Sequence, residues 1–193
     1  SCGLMRVKVY EPHGVARRTG RGLFAARFVE ECPNLPVEEE GRLSDPRLRE
    51  NFVERVFAYS RLRRLFEGRW NAAALIEFHT AHKLILMSHS PEAYRRLGRL
   101  VAGVRELSRK EMERRYTEGF MAALAVIATP RRHTNVLQHM AGYFKDRLDR
   151  DAKTELLASI DDYRRELVPL VVPLTLLRHY VRLHEVSYLE GQL

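Results

Sequence analysis

The sequence predicts a mainly α-helical protein in which a small α/β segment precedes an antiparallel multi-helix bundle. Three observations lead to this fold class. Apolar residues recur at helical spacing from residue 45 onward, capping residues mark where helices begin, and the predicted connections are short. With 45% hydrophobic and 30% charged residues, the composition is that of an ordinary folded protein.

The N-terminal part of the chain has a different pattern. Residues 7–10 (VKVY) form a short β-type run that a turn at residues 11–14 closes, and residues 23–31 carry apolar side chains at helical spacing. Pro33 ends this helix, and residues 35–37 predict a second extended segment. Strand, helix and strand in this order indicate an α/β unit. One such unit is too small to bury a core of its own, so we expect it to belong to something larger.

Seven helices are predicted beyond this segment. An aspartate followed by proline at residues 45–46 opens the first, which runs to about residue 66. Gly68 then marks the boundary between two predicted domains, residues 1–67 and 68–193. The other six helices are predicted at residues 71–88, 90–102, 108–129, 131–148, 150–167 and 173–184.

Positive charge is concentrated in the middle of the chain. The net charge is +8, and residues 69–145 contain 13 Lys or Arg against 6 Asp or Glu, whereas residues 146–193 contain 7 against 9. A basic central third suits a polyanion such as RNA, although arginines also commonly decorate solvated helix faces. The apolar runs are far shorter than the roughly 20 residues of a membrane span. With no signal-peptide pattern either, we expect a cytoplasmic protein without a membrane partner.

The predicted helix at residues 131–148 carries the most informative side chains. Leu137 and Phe144 belong to its apolar stripe, which leaves Arg132, Asn135 and His139 together on the other side. A cation, an amide and an imidazole on one face can bind a phosphate and contact a ribose or a base edge. The alternative is that they are ordinary exposed polar residues.

Further cations and histidines lie on the preceding helices. Lys83, and Arg95 with Arg99 one helical turn later, are candidate contacts to a phosphate backbone. His79 and His82 are three residues apart, a spacing at which two ligands can share a metal ion. Because a zinc site needs three or four ligands, packing and hydrogen bonding are the favoured roles of these imidazoles. An independent metal-dependent enzyme that uses this histidine-rich helix stays an alternative.

Longer stretches of the sequence resemble two known families. Residues 1–3 (SCG), 20–25 (GRGLFA), 35–43 (LPVEEEGRL) and 45–52 (DPRLRENF) resemble the second half of the thiouracil desulfidase (TudS) domain. Residues 78–83 (FHTAHK), 133–139 (HTNVLQH) and 169–177 (PLVVPLTLL) resemble the YbgA-like helical domain. In this order, the two resemble the fused RudS-type desulfidases that act on 4-thiouridine in tRNA. The resemblance implies that the helical domain engages tRNA.

The resemblance also implies an iron–sulfur cofactor. In that family three cysteines hold a [4Fe–4S] cluster, whose open iron takes the substrate sulfur. Of the three ligands this sequence contains one, Cys2, because Cys32 matches neither of the others. We therefore expect this chain alone to carry no cluster and to be inactive, with tRNA and the missing N-terminal half of the TudS-like domain as partners. No catalytic residue is assigned, and a non-catalytic protein-interaction module is a further alternative.

Overall fold

A computed structural model of the protein describes residues 7–10 and 16–192. The chain forms two compact units that divide between Arg64 and Leu65, close to the predicted domain boundary. Most of the described residues are helical, which confirms the predicted fold class. That the first unit is part of a desulfidase domain stays a prediction.

The first unit begins with an antiparallel pair of strands. Strand β1 (Val7–Tyr10) pairs with β2 (Ala16–Gly20), and helix α1 (Leu23–Glu31) follows. The strand predicted at residues 7–10 and the helix predicted at residues 23–31 are thus confirmed. The turn predicted at residues 11–14 lies outside the described residues. The second predicted strand, at residues 35–37, is wrong, because that segment pairs with no strand of the described chain. Pro36 has no amide hydrogen for a ladder, and β2 lies closer in sequence to β1.

Helix α2 (Pro46–Glu67) completes the first unit and continues into the second. A 3-10 helix (Glu40–Ser44) precedes it. The Asp45 carboxylate accepts hydrogen bonds from the backbone amides of Arg47 at 2.8 Å and Leu48 at 3.2 Å, which confirms the predicted N-cap.

The second unit consists of helices joined by short connections. They are α3 (Ala72–Ala81), α4 (Lys83–His89), α5 (Pro91–Ala102), α6 (Arg109–Ala125), α7 (Pro130–Ala141), α8 (Arg150–Arg164), α9 (Val171–Leu183) and α10 (Ser187–Glu190). The hydroxyls of Ser90 and Ser108 cap α5 and α6 by accepting from the amides of Ala93 and Glu111, as their sequence patterns predict.

Several helix boundaries differ from the predicted ones for local reasons. The helix predicted at residues 71–88 is divided at His82, whose ring and amide both contact the carbonyl of Phe78. Helix α6 ends at Ala125, and Val126 after it is extended. Thr129 is extended too, because Pro130 disfavours the helical conformation in the residue before it. Helix α8 ends three residues early, near Glu166, which has a positive φ of 60°. Helix α10 was not predicted.

Helix α4 occupies the centre of the second unit, where it packs against α5, α6 and α7. One side of the core is aromatic and is built around the fully buried Tyr116 and Phe120 of α6. The other side is mainly aliphatic and joins α4, α7, α8, α9 and α10 through residues such as Leu137, Ile160 and Leu177. Across residues 7–10 and 16–192, no helix has both the length and the apolar character that a membrane span requires.

Candidate nucleic-acid interface

Helix α5 presents an apolar face to the core and a cationic face to solvent. Ala93, Leu97 and Val101 are buried, while Arg95 and Arg99 lie exposed on the opposite side, one turn apart. Neither arginine forms an ion pair with a carboxylate of the described chain. The structure therefore leaves both predicted phosphate contacts accessible and without a compensating charge.

Two arginines of α6, Arg114 and Arg115, differ from those of α5 because each forms an ion pair with a glutamate of the same helix. Arg114 contacts Glu111 at 2.8 Å and Glu118 at 2.9 Å, and Arg115 contacts Glu111 at 2.5 Å. The hydrogen bonds from Arg114 and then Arg115 lower the pKa of Glu111 to about 2. Arg114 and Arg115 are thus neutralised, whereas Arg95 and Arg99 of α5 are not.

Arg132, at the start of α7, holds two helices together. Its guanidinium Nη1 donates a hydrogen bond of 2.8 Å to the backbone carbonyl of His89, at the end of α4. The fully buried His89 ring in turn lies 2.6 Å, through Nδ1, from the carbonyl of Val126. Arg132 is half-buried. Arg132, which the sequence predicts as an RNA contact, therefore connects α7 to α4 within the fold.

Replacing Arg132 with alanine is expected to lower the free energy of unfolding by about 1–3 kcal/mol, because the His89 carbonyl loses its charged donor. Urea denaturation followed by circular dichroism measures this change. The neighbouring Arg131, which is exposed, supplies the matched control, and its alanine variant should unfold like the wild type. Wild-type stability of Arg132→Ala together with a loss of RNA affinity would assign this arginine to the ligand instead.

Asn135 and His139 follow on the solvent side of α7. Both are exposed, and they point away from Leu137, which is buried as its apolar stripe predicts. Asn135 lies one turn from each of Arg132 and His139. The three predicted residues thus lie along one side of α7, but Arg132 already donates a hydrogen bond to the His89 carbonyl.

Two tyrosines join the remaining predicted residues into one surface cluster. The Lys83 ammonium lies 5.9 Å from the centre of the Tyr188 ring. The Tyr188 and Tyr143 rings stack, with centroids 5.1 Å apart and planes at 16°, and the His139 ring meets Tyr143 edge-on at 5.6 Å. We call these four residues, Lys83, His139, Tyr143 and Tyr188, the tyrosine patch. It brings together two predicted RNA contacts that are far apart in sequence.

The tyrosines were not among the predicted site residues. Tyr143 lies one turn after His139, which is a signal that helical spacing offers. Tyr188 has no such local signal, since it reaches the patch only because the C-terminal residues dock on α3 and α4. Gln192 donates to the Thr80 carbonyl at 3.0 Å and accepts from the Leu84 amide at 3.4 Å.

The surroundings of the Tyr143 hydroxyl disfavour its ionisation. Desolvation, followed by the neighbouring Tyr188, raises the pKa of Tyr143, while the positive charge of Lys83 opposes the shift. A neutral ring carries no repulsive charge toward a phosphate. The patch therefore combines two uncharged aromatic rings with a cation.

His79 of α3 and His82, which lies between α3 and α4, are buried and hydrogen-bonded. His79 Nδ1 lies 3.1 Å from the Tyr116 hydroxyl, and His82 Nδ1 lies 2.8 Å from the carbonyl of Phe78. In the part of the chain that the structure describes, no three or more His, Cys, Asp or Glu side chains gather in a metal-binding arrangement. His79 thereby joins α3 to α6, whereas His82 binds a carbonyl one turn earlier in the chain.

The implied [4Fe–4S] cluster requires cysteine thiolates as its ligands. Cys2 lies outside the described residues, and Cys32 is a half-buried free cysteine. The cluster that the resemblance implies is held by three cysteines, and the described residues contain only Cys32, so they do not fit it.

Comparison with known proteins places most of this chain beside proteins without an assigned activity. The family described as "Protein of unknown function (DUF1722)" matches residues 83–193, which include α4 to α10 and the whole tyrosine patch. The chain is 37% identical over 139 residues to the uncharacterized protein YbgA of Escherichia coli (strain K12). The aligned residues make up 72% of this chain and 82% of that protein. No solved structure matches the chain.

Proposed function

This chain belongs to the DUF1722 family, and we propose that its second unit is a tRNA-binding domain that serves the removal of sulfur from 4-thiouridine. The similarity of the helical unit to YbgA supports its assignment as a YbgA-like domain. The similarity of the first unit to the second half of a TudS domain supports the link to sulfur removal.

The observation that carries this proposal is the uncompensated charge of α5 and the turn after it. Arg95, Arg96, Arg99 and Arg105 are exposed, and none of them pairs with a carboxylate of the described residues. Arginines in this state bind phosphates by releasing condensed counterions, and they need break no ion pair first. The exposed amide of Asn135 and the rings of the tyrosine patch supply groups that can contact bases.

In this proposal the residues of the chain hold and orient tRNA. The sulfur chemistry would be supplied by a [4Fe–4S] cluster that this chain cannot hold alone: Cys2 would be one ligand, and the missing N-terminal half of the TudS-like domain would contribute the others. The arginines of α5 would track the phosphate backbone, and Lys83 with His139 would contact the same RNA elsewhere on the unit.

Substituting Arg95 and Arg99 together with alanine is expected to weaken binding to all tRNAs and to reduce the salt dependence of binding. Each phosphate contact adds about 0.7–0.9 to the slope of log K against log salt, so the slope should fall by about 1.4–1.8. Fluorescence anisotropy with labelled tRNA over a series of salt concentrations measures both quantities.

A matched control removes the same charge elsewhere. Arg178 and Arg182 of α9 have the same one-turn spacing and are both exposed. Their double alanine variant should bind tRNA with the wild-type slope. If the two double variants lose affinity equally, the effect is one of net charge, and α5 is not the interface. A wild-type chain that does not bind tRNA contradicts the proposed function as a whole.

One observation favours a second candidate, a protein-interaction module. An open groove of about 610 Å³ lies between α8 and α9 and is lined by Glu155, Ser159, Val171, Val172, Thr175, Leu176 and His179. Val171 is 61% exposed and Val172 is 41% exposed, and large apolar side chains at the surface are typical of protein-binding sites. Val171→Ser with Val172→Ser would leave tRNA binding unchanged under the first proposal.

A further inference from the structure

We propose that the tyrosine patch is a stacking platform for one unpaired nucleobase of RNA, with Lys83 contacting an adjacent phosphate. This inference rests on the proposed function and deepens it, because it assigns to one surface the recognition of single-stranded rather than paired nucleotides. Unpaired bases are the parts of an RNA that can leave their own stack and lie on an aromatic side chain.

The arrangement of the rings favours stacking on an outer face. Tyr143 and Tyr188 are stacked with nearly parallel planes, so together they form a two-ring aromatic column. A base would continue this stack at its outer side rather than enter it. Stacking of this kind tolerates every base, because each has a π-face.

The exposure of these rings distinguishes them from the aromatic residues of the core. Tyr116 and Phe144 are almost completely buried, with 0% and 1% exposure. Tyr143 and Tyr188 are half-buried, although they pack closely enough to be held in place. A preordered ring loses little conformational freedom when a ligand binds, which favours binding.

The polar members of the patch suit the rest of a nucleotide. Lys83 makes no ion pair with a carboxylate of the described residues, so its ammonium is available to a phosphate oxygen. His139 is exposed, and its imidazole offers a donor and an acceptor to a ribose hydroxyl or a base edge. The chemistry of the patch is thus that of a ring, a cation and a small polar group on one surface.

The test replaces the rings while it retains their apolar bulk. Tyr143→Leu with Tyr188→Leu should weaken binding to an unstructured RNA oligonucleotide by about 5- to 150-fold, the range of one base–aromatic stack. The loss should be the same at every salt concentration, because no phosphate contact is removed. Tyr143→Phe with Tyr188→Phe keeps the rings and should bind like the wild type. A blunt RNA duplex of the same length should not distinguish any of these variants.

Two further measurements keep the test decisive. Tyr59, a half-buried tyrosine of the first unit, supplies the control, and Tyr59→Leu should not alter RNA affinity. An oligonucleotide containing 2-aminopurine reports stacking on the wild-type chain directly, since its emission is quenched when it stacks. Quenching by the wild type and by the phenylalanine pair supports the platform even if the leucine pair unfolds.

The outcomes separate this inference from the proposed function. If the wild type binds tRNA with a steep salt dependence while the leucine pair binds equally well, the platform is overturned and the arginine interface stands. Absence of quenching on binding also overturns it. If the wild type binds no RNA at any salt concentration, both proposals fail together.

Discussion

Replacing Phe120 with alanine is expected to lower the free energy of unfolding of the second unit by about 3–5 kcal/mol. The ring is completely buried in α6 and contacts three other rings, those of Phe78 at 5.4 Å, His82 at 5.3 Å and Tyr116 at 5.9 Å between centroids. Its removal leaves a cavity that the surrounding helices cannot fill without losing their own contacts. Urea denaturation monitored through Trp70, the single tryptophan, reports on this unit.

The control for that experiment shortens an exposed apolar side chain to alanine. Leu183, at the end of α9, is 62% exposed, and Leu183→Ala should change stability by no more than about 0.5 kcal/mol. Similar losses in the two variants would mean that the aromatic side of the core contributes no more than the surface does.

Acidification is expected to destabilise the second unit through His79. Burial lowers the pKa of His79 below its usual value of 6.5, so the unfolded chain binds a proton more readily than the folded one. The stability that the neutral imidazole contributes is fully present above the unfolded pKa, and it is lost as the pH falls from there toward the folded pKa. Denaturation curves between about pH 7.5 and about pH 5 should therefore show a decreasing free energy of unfolding.

His79→Gln isolates this contribution, because glutamine does not titrate and can still hydrogen-bond the Tyr116 hydroxyl. All other residues are the same in both proteins, so the difference between wild type and variant reports His79 alone. That difference should shrink as the pH is lowered. If it is independent of pH, the protonation of His79 is not linked to folding.

The sequence predicts the helices well where a cap and an apolar stripe agree. Helix α5 shows both, with Ser90 before it and Leu97 inside it, and its predicted end at Ala102 is confirmed. Helix ends are set by less regular features. The division at His82 depends on one side chain that contacts a carbonyl, which apolar spacing does not reveal.

The pairing of the strands shows a different limit of sequence patterns. Residues 16–20 (ARRTG) are too polar and glycine-containing to be read as a strand by alternation, yet they pair with β1. An extended segment becomes a strand only when a partner is within reach, and that is a property of the fold. Pro36 removed that possibility for the segment that was predicted instead.

The candidate site was predictable as single residues but not as an assembly. Periodicity places Arg132 on the polar side of α7, but it does not tell that the carbonyl of His89 lies within hydrogen-bonding distance. It likewise marks Lys83 and His139 as polar without indicating that they meet through two tyrosines. Contacts between helices decide both cases, and such contacts depend on residues distant in sequence.

The docking of the C-terminal residues sets the order in which the protein can assemble. Gln192 meets Leu84 across 108 residues and Thr80 across 112, so this contact closes one of the longest loops in the chain. During synthesis the earlier helices can fold while residues 187–192 have yet to emerge from the ribosome. Tyr188 therefore reaches Lys83 only after residues 187–192 have been made, and a nascent chain would complete the tyrosine patch only when this region has been translated.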